Sequence, residues 1–219
     1  SYTVKPEVDT DEITNYEFGW KTITKDGQLR FNGSAFYVDV TGLQSTIFDP
    51  SIVNLFFSDN AADATIKGVE GDFTYYTNVE GLSVAGAFSF LDTEITEKLV
   101  PTGDVIVGEE LAFAPGMQGN VRVRQEFGMA GGNLGHFQLQ FTYSDDSYSD
   151  IMEPNKARQA SYSYVDLRAG VTNDDLTAEL YVDNVTDERA EISNTFVFDR
   201  QRVAYIRPTT IGIRVKKNF

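Results

Sequence analysis

From Thr209 to Phe219 the chain alternates: Thr209, Ile211, Ile213, Val215, Lys217 and Phe219 share one face, and Thr210, Gly212, Arg214, Lys216 and Asn218 the other. A period of two belongs to a β-strand. One largely apolar face, one polar face and an aromatic at the last residue describe the closing strand of an outer-membrane β-barrel, where lipid and lumen replace core and water. The same alternation, rich in Tyr, Phe, Val and Thr, predicts nine strands over residues 13–24, 29–46, 63–77, 82–97, 119–130, 136–150, 160–172, 176–189 and 205–219. Helical periodicity is scarce.

The connections alternate as well. Residues 25–28, 78–81, 131–135 and 173–175 are short and built from Gly, Asn and Asp, which tolerate positive φ. Residues 49–62, 98–118, 151–159 and 190–204 are long. Short turns on one rim and long loops on the other are the asymmetry of outer-membrane barrels, with the loops outside. Facing follows from parity. Phe137, Leu139, Phe141 and Tyr143 are expected to meet lipid, and His136, Gln138, Gln140 and Thr142 the lumen. Tyr16, Trp20, Tyr37 and Tyr143 are candidates for the aromatic girdles. With Phe219 at the inner rim, residues 1–11 fall on the outer side. That placement and the odd strand count predict an all-β, antiparallel transmembrane β-barrel segment, the C-terminal part of a larger barrel.

Composition agrees with a barrel more than hydropathy does. No apolar run approaches the ~18 to 20 residues of a membrane-spanning helix, and mean hydropathy is -0.27, but barrel strands show lipid only every second residue. A net charge of -15 across 219 residues opposes nucleic-acid binding, which needs clustered Lys and Arg. The chain has no cysteine, so disulfides and thiolate metal sites are excluded. Residues 1–11 read as the interior of a longer chain, with no basic and apolar leader.

Candidate chemistry is sparse. His136 is the only histidine; as a base it would need a nucleophile and an orienting carboxylate, and a solvated lumen histidine is the expectation. Asp145, Asp146 and Asp150 lack the spacing of a calcium loop and read as a hydrated outer extension. Asn32 and Asn184 open glycosylation sequons but fall inside predicted strands, and Gly131, Gly132 and Gly135 suit a hairpin turn better than a phosphate loop. Ile52, Val53, Leu55, Phe56 and Phe57 form an apolar segment in a predicted loop, expected to pack on a neighbouring loop and, as an alternative, to touch ligand. Phe56, Phe57, Phe113, Arg200 and Arg202 are the candidate ligand contacts, the arginines suiting an anionic chelate. Ile211, Ile213, Val215 and Phe219 form the candidate assembly signal. No cofactor and no metal is expected.

Local motifs carry a family resemblance. Lys5-Pro6-Glu7 followed by Asn15-Tyr16-Glu17-Phe18-Gly19-Trp20-Lys21, then Asp26-Gly27-Gln28-Leu29-Arg30 through Phe36-Tyr37, resembles the barrel of TonB-dependent outer-membrane receptors. Asn60-Ala61-Ala62 with Lys67-Gly68-Val69-Glu70, Val182-Asp183-Asn184-Val185-Thr186-Asp187, and Arg207-Pro208-Thr209-Thr210-Ile211-Gly212 are similar to later elements of that family. Lys217 departs from it, standing where an aromatic or apolar residue is usual. The resemblance implies a plugged barrel of about 22 strands, with the plug and the N-terminal strands absent from this chain. It further implies uptake of a scarce nutrient, foremost a ferric siderophore, with cobalamin or an oligosaccharide also open, and no catalysis. Implied partners are the lipid bilayer and lipopolysaccharide, the barrel assembly machinery, and the TonB complex through the plug domain, all at the outer membrane of a Gram-negative bacterium. A passive porin and a soluble all-β ligand-binding protein remain alternatives.

Overall fold

A computed structural model describes residues 8–49, 55–101, 103–197 and 200–217. The strands, in chain order, are β1 Glu12–Ile23, β2 Leu29–Asp49, β3 Leu55–Tyr76, β4 Leu82–Lys98, β5 Met117–Gly128, β6 Leu134–Ser144, β7 Ser147–Tyr148, β8 Arg158–Gln159, β9 Tyr162–Asn173, β10 Leu176–Asp183, β11 Glu191–Val197, β12 Arg200–Tyr205 and β13 Thr210–Lys217. Nine of them form one antiparallel sheet in the order β1-β2-β3-β4-β5-β6-β9-β10-β13. Each strand of this sheet pairs with the next strand of the sheet along the chain, the β7–β8 and β11–β12 pairs being inserted between β6 and β9 and between β10 and β13. Among the described residues the sheet is open, with β1 and β13 at its edges.

Register makes the two faces explicit, because directly paired residues point the same way. One row across the sheet runs Leu29, Tyr75, Val84, Val123, Leu139, Leu167, Val182 and Ile211. The next row runs Arg30, Thr74, Ala85, Arg122, Gln140 and Asp166. The apolar face is also the exposed one: Phe137, Leu180, Ile211, Ile213 and Val215 all present large surfaces to the outside. An apolar exterior and a polar interior invert the arrangement of a soluble sheet. Tyr16, Trp20, Tyr37 and Tyr143 all lie on the apolar face.

Cross-strand glycines take up the large rings. Trp20 lies over Gly33, Phe88 over Gly71, Phe73 over Gly86, Phe127 over Gly135, His136 over Gly170 and Tyr181 over Gly212, each ring on its direct partner. A Cβ at any of these glycines would strike the ring, so the pairs lock register by shape. The tight turns depend on backbone freedom instead. Gly81 has φ +73, and a side chain there would collide with the backbone carbonyl of Glu126, whose own N–H donates to Gly81 O at 2.8 Å.

β2 and β3, of 21 and 22 residues, far exceed the ~9 to 11 residues that cross a membrane. Their outer halves are expected loop in part, yet pairing continues to Asp49 and Leu55, and Ile47 and Phe57 of these extensions join an apolar cluster. The extension bends at a bulge between Val40 and Leu43. Gly42 there has φ +73; its N–H donates to Asp63 Oδ1 at 2.8 Å, and Asn60 Nδ2 donates to its carbonyl at 2.6 Å. The only buried apolar cluster lies in this region among the described residues. Ile47, Ala61, Ala62 and Ile95 from the extensions meet Val100, Val105, Ile151 and Met152 from the two loops that follow β4 and β6.

Several predicted ends need correction. The sixth strand stops at Ser144 rather than residue 150, since Asp145 Oδ1 accepts the Asp146 N–H at 3.0 Å and turns the chain. The eighth stops at Asp183, because Asn184 adopts φ +52. The last begins at Thr210, because Pro208 has no N–H to pair, and Tyr205 instead ends the β11–β12 hairpin, which occupies most of the predicted loop 190–204 and runs one residue past it.

Candidate functional site

The lumen face divides by height. Toward the short turns it is ionic and paired within itself: Glu179 receives His136 Nε2 at 3.1 Å, Arg168 Nη1 at 3.5 Å and Arg214 Nη1 at 3.3 Å. Arg168 also reaches Asp183 at 3.0 Å, and Arg124 pairs with Glu126 at 2.9 Å. Both Arg168 and Arg214 lie against the Tyr181 ring. His136 is therefore not the solvated residue expected; it is 5% exposed, pressed onto Gly170 and bonded to Glu179. These contacts order the lumen wall around the imidazole.

Toward the long loops the wall between β4 and β9 carries amides and hydroxyls, with Asp145 and Glu191 above them at the rim. Ser89, Gln118, Asn120, Thr142, Ser144 and Tyr162 line a recess of about 280 Å³ between β4, β5, β6 and β9. Tyr162 stacks on Tyr164 with ring centroids 6.4 Å apart and planes 9° from parallel. A second recess of about 170 Å³ adjoins it through Gln118, Ser144 and Tyr162, and is closed by Phe113, Gln159 and Glu191 from three separate loops.

The loops that form this upper rim are held by polar staples. Lys156, with its side chain 8% exposed, bridges Glu109 at 2.6 Å and Glu153 at 3.2 Å and sits over the Tyr148 ring. Burial works against its charge, but the hydrogen bonds to Glu109 and Glu153 outweigh this and raise its pKa. Asp146 is held below the ordinary carboxyl value by its hydrogen bond to Arg158 at 2.8 Å. Asp150 is displaced upward by burial, despite accepting the Met152 N–H at 3.0 Å. The three aspartates thus serve separate ends, and no metal-binding group of carboxylates or histidine exists among the described residues.

The element at Asn184 ties β10 to β13. Its buried side-chain amide donates to Glu188 O at 2.9 Å and Arg207 O at 2.8 Å and accepts the Glu188 N–H at 2.9 Å. Its backbone N–H donates to Asp166 Oδ1 on β9 at 2.8 Å. Asp187, at φ +48, accepts the Thr209 N–H at 3.1 Å, which holds its carboxyl below the usual range. Asn184 has no nitrogen free for a glycan. Asn32 faces the lumen and donates to Asp72 at 3.1 Å.

Of the candidate ligand contacts, Phe113 lines the upper recess, held at φ +54 with its N–H on Tyr148 O at 2.7 Å. Phe57 packs against the apolar loop cluster. The side chain of Phe56 and the residues Ile52 and Val53 lie outside the described residues. Arg200 and Arg202 are exposed on β12. Phe57 and Phe113 thus line different features, the loop cluster and the recess, and the arginines stand on the hairpin. Ile211, Ile213 and Val215 point outward in register with Val182, Leu180 and Ala178, whereas Phe219 lies outside the described residues. Gln118, Asn120, Gln159 and Tyr162 were not legible as neighbours in the sequence, because alternation assigns a face and only register assigns a height.

Comparison with solved structures places the sheet among known barrels. The ferric yersiniabactin uptake receptor FyuA of Yersinia pestis superposes with TM-score 0.76 at 19% identity, over 95% of this chain and 30% of that one. The siderophore receptor PiuA of Acinetobacter baumannii gives TM-score 0.71 at 16% identity, over 97% and 30%. The pyoverdine outer membrane receptor FpvA of Pseudomonas aeruginosa PAO1, bound to pyoverdine, gives 0.66 at 19%, over 95% and 30%. The chain spans about three tenths of the length of these relatives. No curated protein matches its sequence. The family described as TonB dependent receptor-like, beta-barrel matches residues 5–185. That match covers most of the strands in the observed order, so the chain belongs to the TonB-dependent receptor β-barrel family.

Proposed function

We propose that this chain is the C-terminal part of the barrel of an outer-membrane receptor that takes up a ferric siderophore in a TonB-coupled cycle. The observation that carries the reading is the pairing of an apolar, exposed outer face with an uncharged upper lumen recess, in a chain of this family. The structural neighbours named for ferric yersiniabactin, siderophore and pyoverdine support a ferric chelate as the nutrient. Phe113 contacts the chelate from the rim, while Arg200 and Arg202 stay exposed on the β11–β12 hairpin, outside the recess. Lipid and lipopolysaccharide surround the outer face, the barrel assembly machinery recognises the β13 pattern, and a plug domain outside this chain couples to TonB.

The test is uptake of radiolabelled iron, supplied as a siderophore, by iron-starved cells with and without the gene that encodes this chain. Uptake should require both the gene and the TonB complex. Uptake that persists without the TonB complex would favour a passive porin, and a chain that stays soluble and monomeric without detergent would end the membrane reading.

A further inference from the structure

The geometry points to an uncharged or cationic ferric chelate, bound through amides and hydroxyls on the upper lumen wall; the inference rests on the receptor reading above and narrows its substrate. Among the described residues, neither of the two adjoining recesses is lined by Lys or Arg. The upper one carries two carboxylates, Asp145 and Glu191. A polyanionic chelate entering there would lose water next to like charges, in a chain whose net charge is already -15.

The wall is instead short of neutral partners. Thr142 Oγ1 and Gln159 Nε2 are buried without a hydrogen bond, one on each recess. Gln159 is 4% exposed, and its other amide atom takes the Ser147 hydroxyl at 2.9 Å. Unpaired buried groups are uncommon in folded proteins and mark places where a partner is missing. Gln118 and Asn120 add two amides on the same face, each able to donate and accept. The stacked Tyr162 and Tyr164 rings supply an apolar platform beside them. A chelate framed by peptide or hydroxamate groups matches this set; a trianion does not. Arg122, on the lumen face, lies one row below Asn120, with Gln140 and Asp166 in its own row.

The experiment measures calorimetric affinity of the detergent-purified receptor containing this chain for two probes, a neutral ferric trihydroxamate and a trianionic ferric tris-catecholate. The neutral probe should bind at least about tenfold more tightly, and Gln118→Ala with Asn120→Ala should weaken it by about tenfold. Asp145→Asn with Glu191→Gln should strengthen the trianion selectively, while Arg122→Ala should leave the neutral probe within about twofold. Heat-modifiable mobility in gels confirms that each variant is folded. A trianion that binds as tightly as the neutral probe, or a loss confined to Arg122→Ala, overturns the inference and leaves the receptor reading standing. Binding of neither probe overturns the inference, and TonB-dependent iron uptake then decides the receptor reading on its own.

Discussion

Asn184 shows how one side chain can close a fold that backbone pairing leaves open. β10 and β13 are adjacent in the sheet but separated in sequence by the β11–β12 hairpin, so the return point has no ladder to hold it. The buried amide satisfies carbonyls on both sides of the gap and an N–H between them. Asn184→Ala removes these bonds and strands the Arg207 carbonyl. The expected cost is about 2 to 3 kcal/mol, read as a lower urea midpoint from the fluorescence of Trp20, the single tryptophan. The motif around Asn184 and Asp187 is legible in the sequence, and both residue types tolerate the left-handed conformation they adopt. What the sequence does not carry is burial: the partner Arg207 lies 23 positions away, beyond any local pattern. The glycines under aromatic rings are hidden for the same reason. Trp20 and Gly33 become a pair only once a turn sets the register.

At the level of elements, the nine strands follow from periodicity and turn chemistry, whereas the rim follows from packing between segments distant in sequence. Alternation marks residues 151–159 and 98–118 only as long connections. They become a structured rim because Ile151 and Met152 dock with Val100 and Val105 against Ile47 and Ile95, while Lys156 staples Glu109 to Glu153. Asp150 works against this docking, since burial raises its pKa above the usual 3.8. A carboxyl raised in the folded state binds its proton more tightly there, so its stabilising contribution is full below the unfolded value and is lost as pH rises through the raised one. Amide exchange at Met152 and Ala157, corrected for intrinsic rates, should therefore speed up as pH rises from about 4 to 7. Asp150→Asn should flatten that rise, because the amide oxygen still accepts the Met152 N–H without a buried charge. A slope unchanged by the substitution would assign the pH response to another group. Lys156 contributes in a different range: its raised pKa keeps its charge at neutral pH, and the stability it lends is lost as pH rises through that raised value in alkali.

For the whole molecule the decisive property is which face meets which solvent. Leu139 and Gln140 are adjacent on β6 and point to opposite sides, Leu139 in the apolar row with Val123 and Leu167, Gln140 in the polar row with Arg122 and Asp166. Charge is costly only on the lipid side and most so near the midplane, where an arginine destabilises a barrel by about 2 to 4 kcal/mol. Leu139 is the central outward residue of its strand, with Phe137 and Phe141 on either side, so Leu139→Arg should carry most of that cost and deplete the folded band after outer-membrane extraction. Gln140→Arg adds the same charge one residue later, facing a lumen where Arg122 repels it and Asp166 attracts it. Its folded band should match the parent. A soluble sandwich would reverse this order, because its buried face is the one that cannot hold a charge, and in this sheet the more enclosed face is the polar one. Equal loss from both substitutions would mean that both faces are dry, and the lumen that the proposed function needs would not exist.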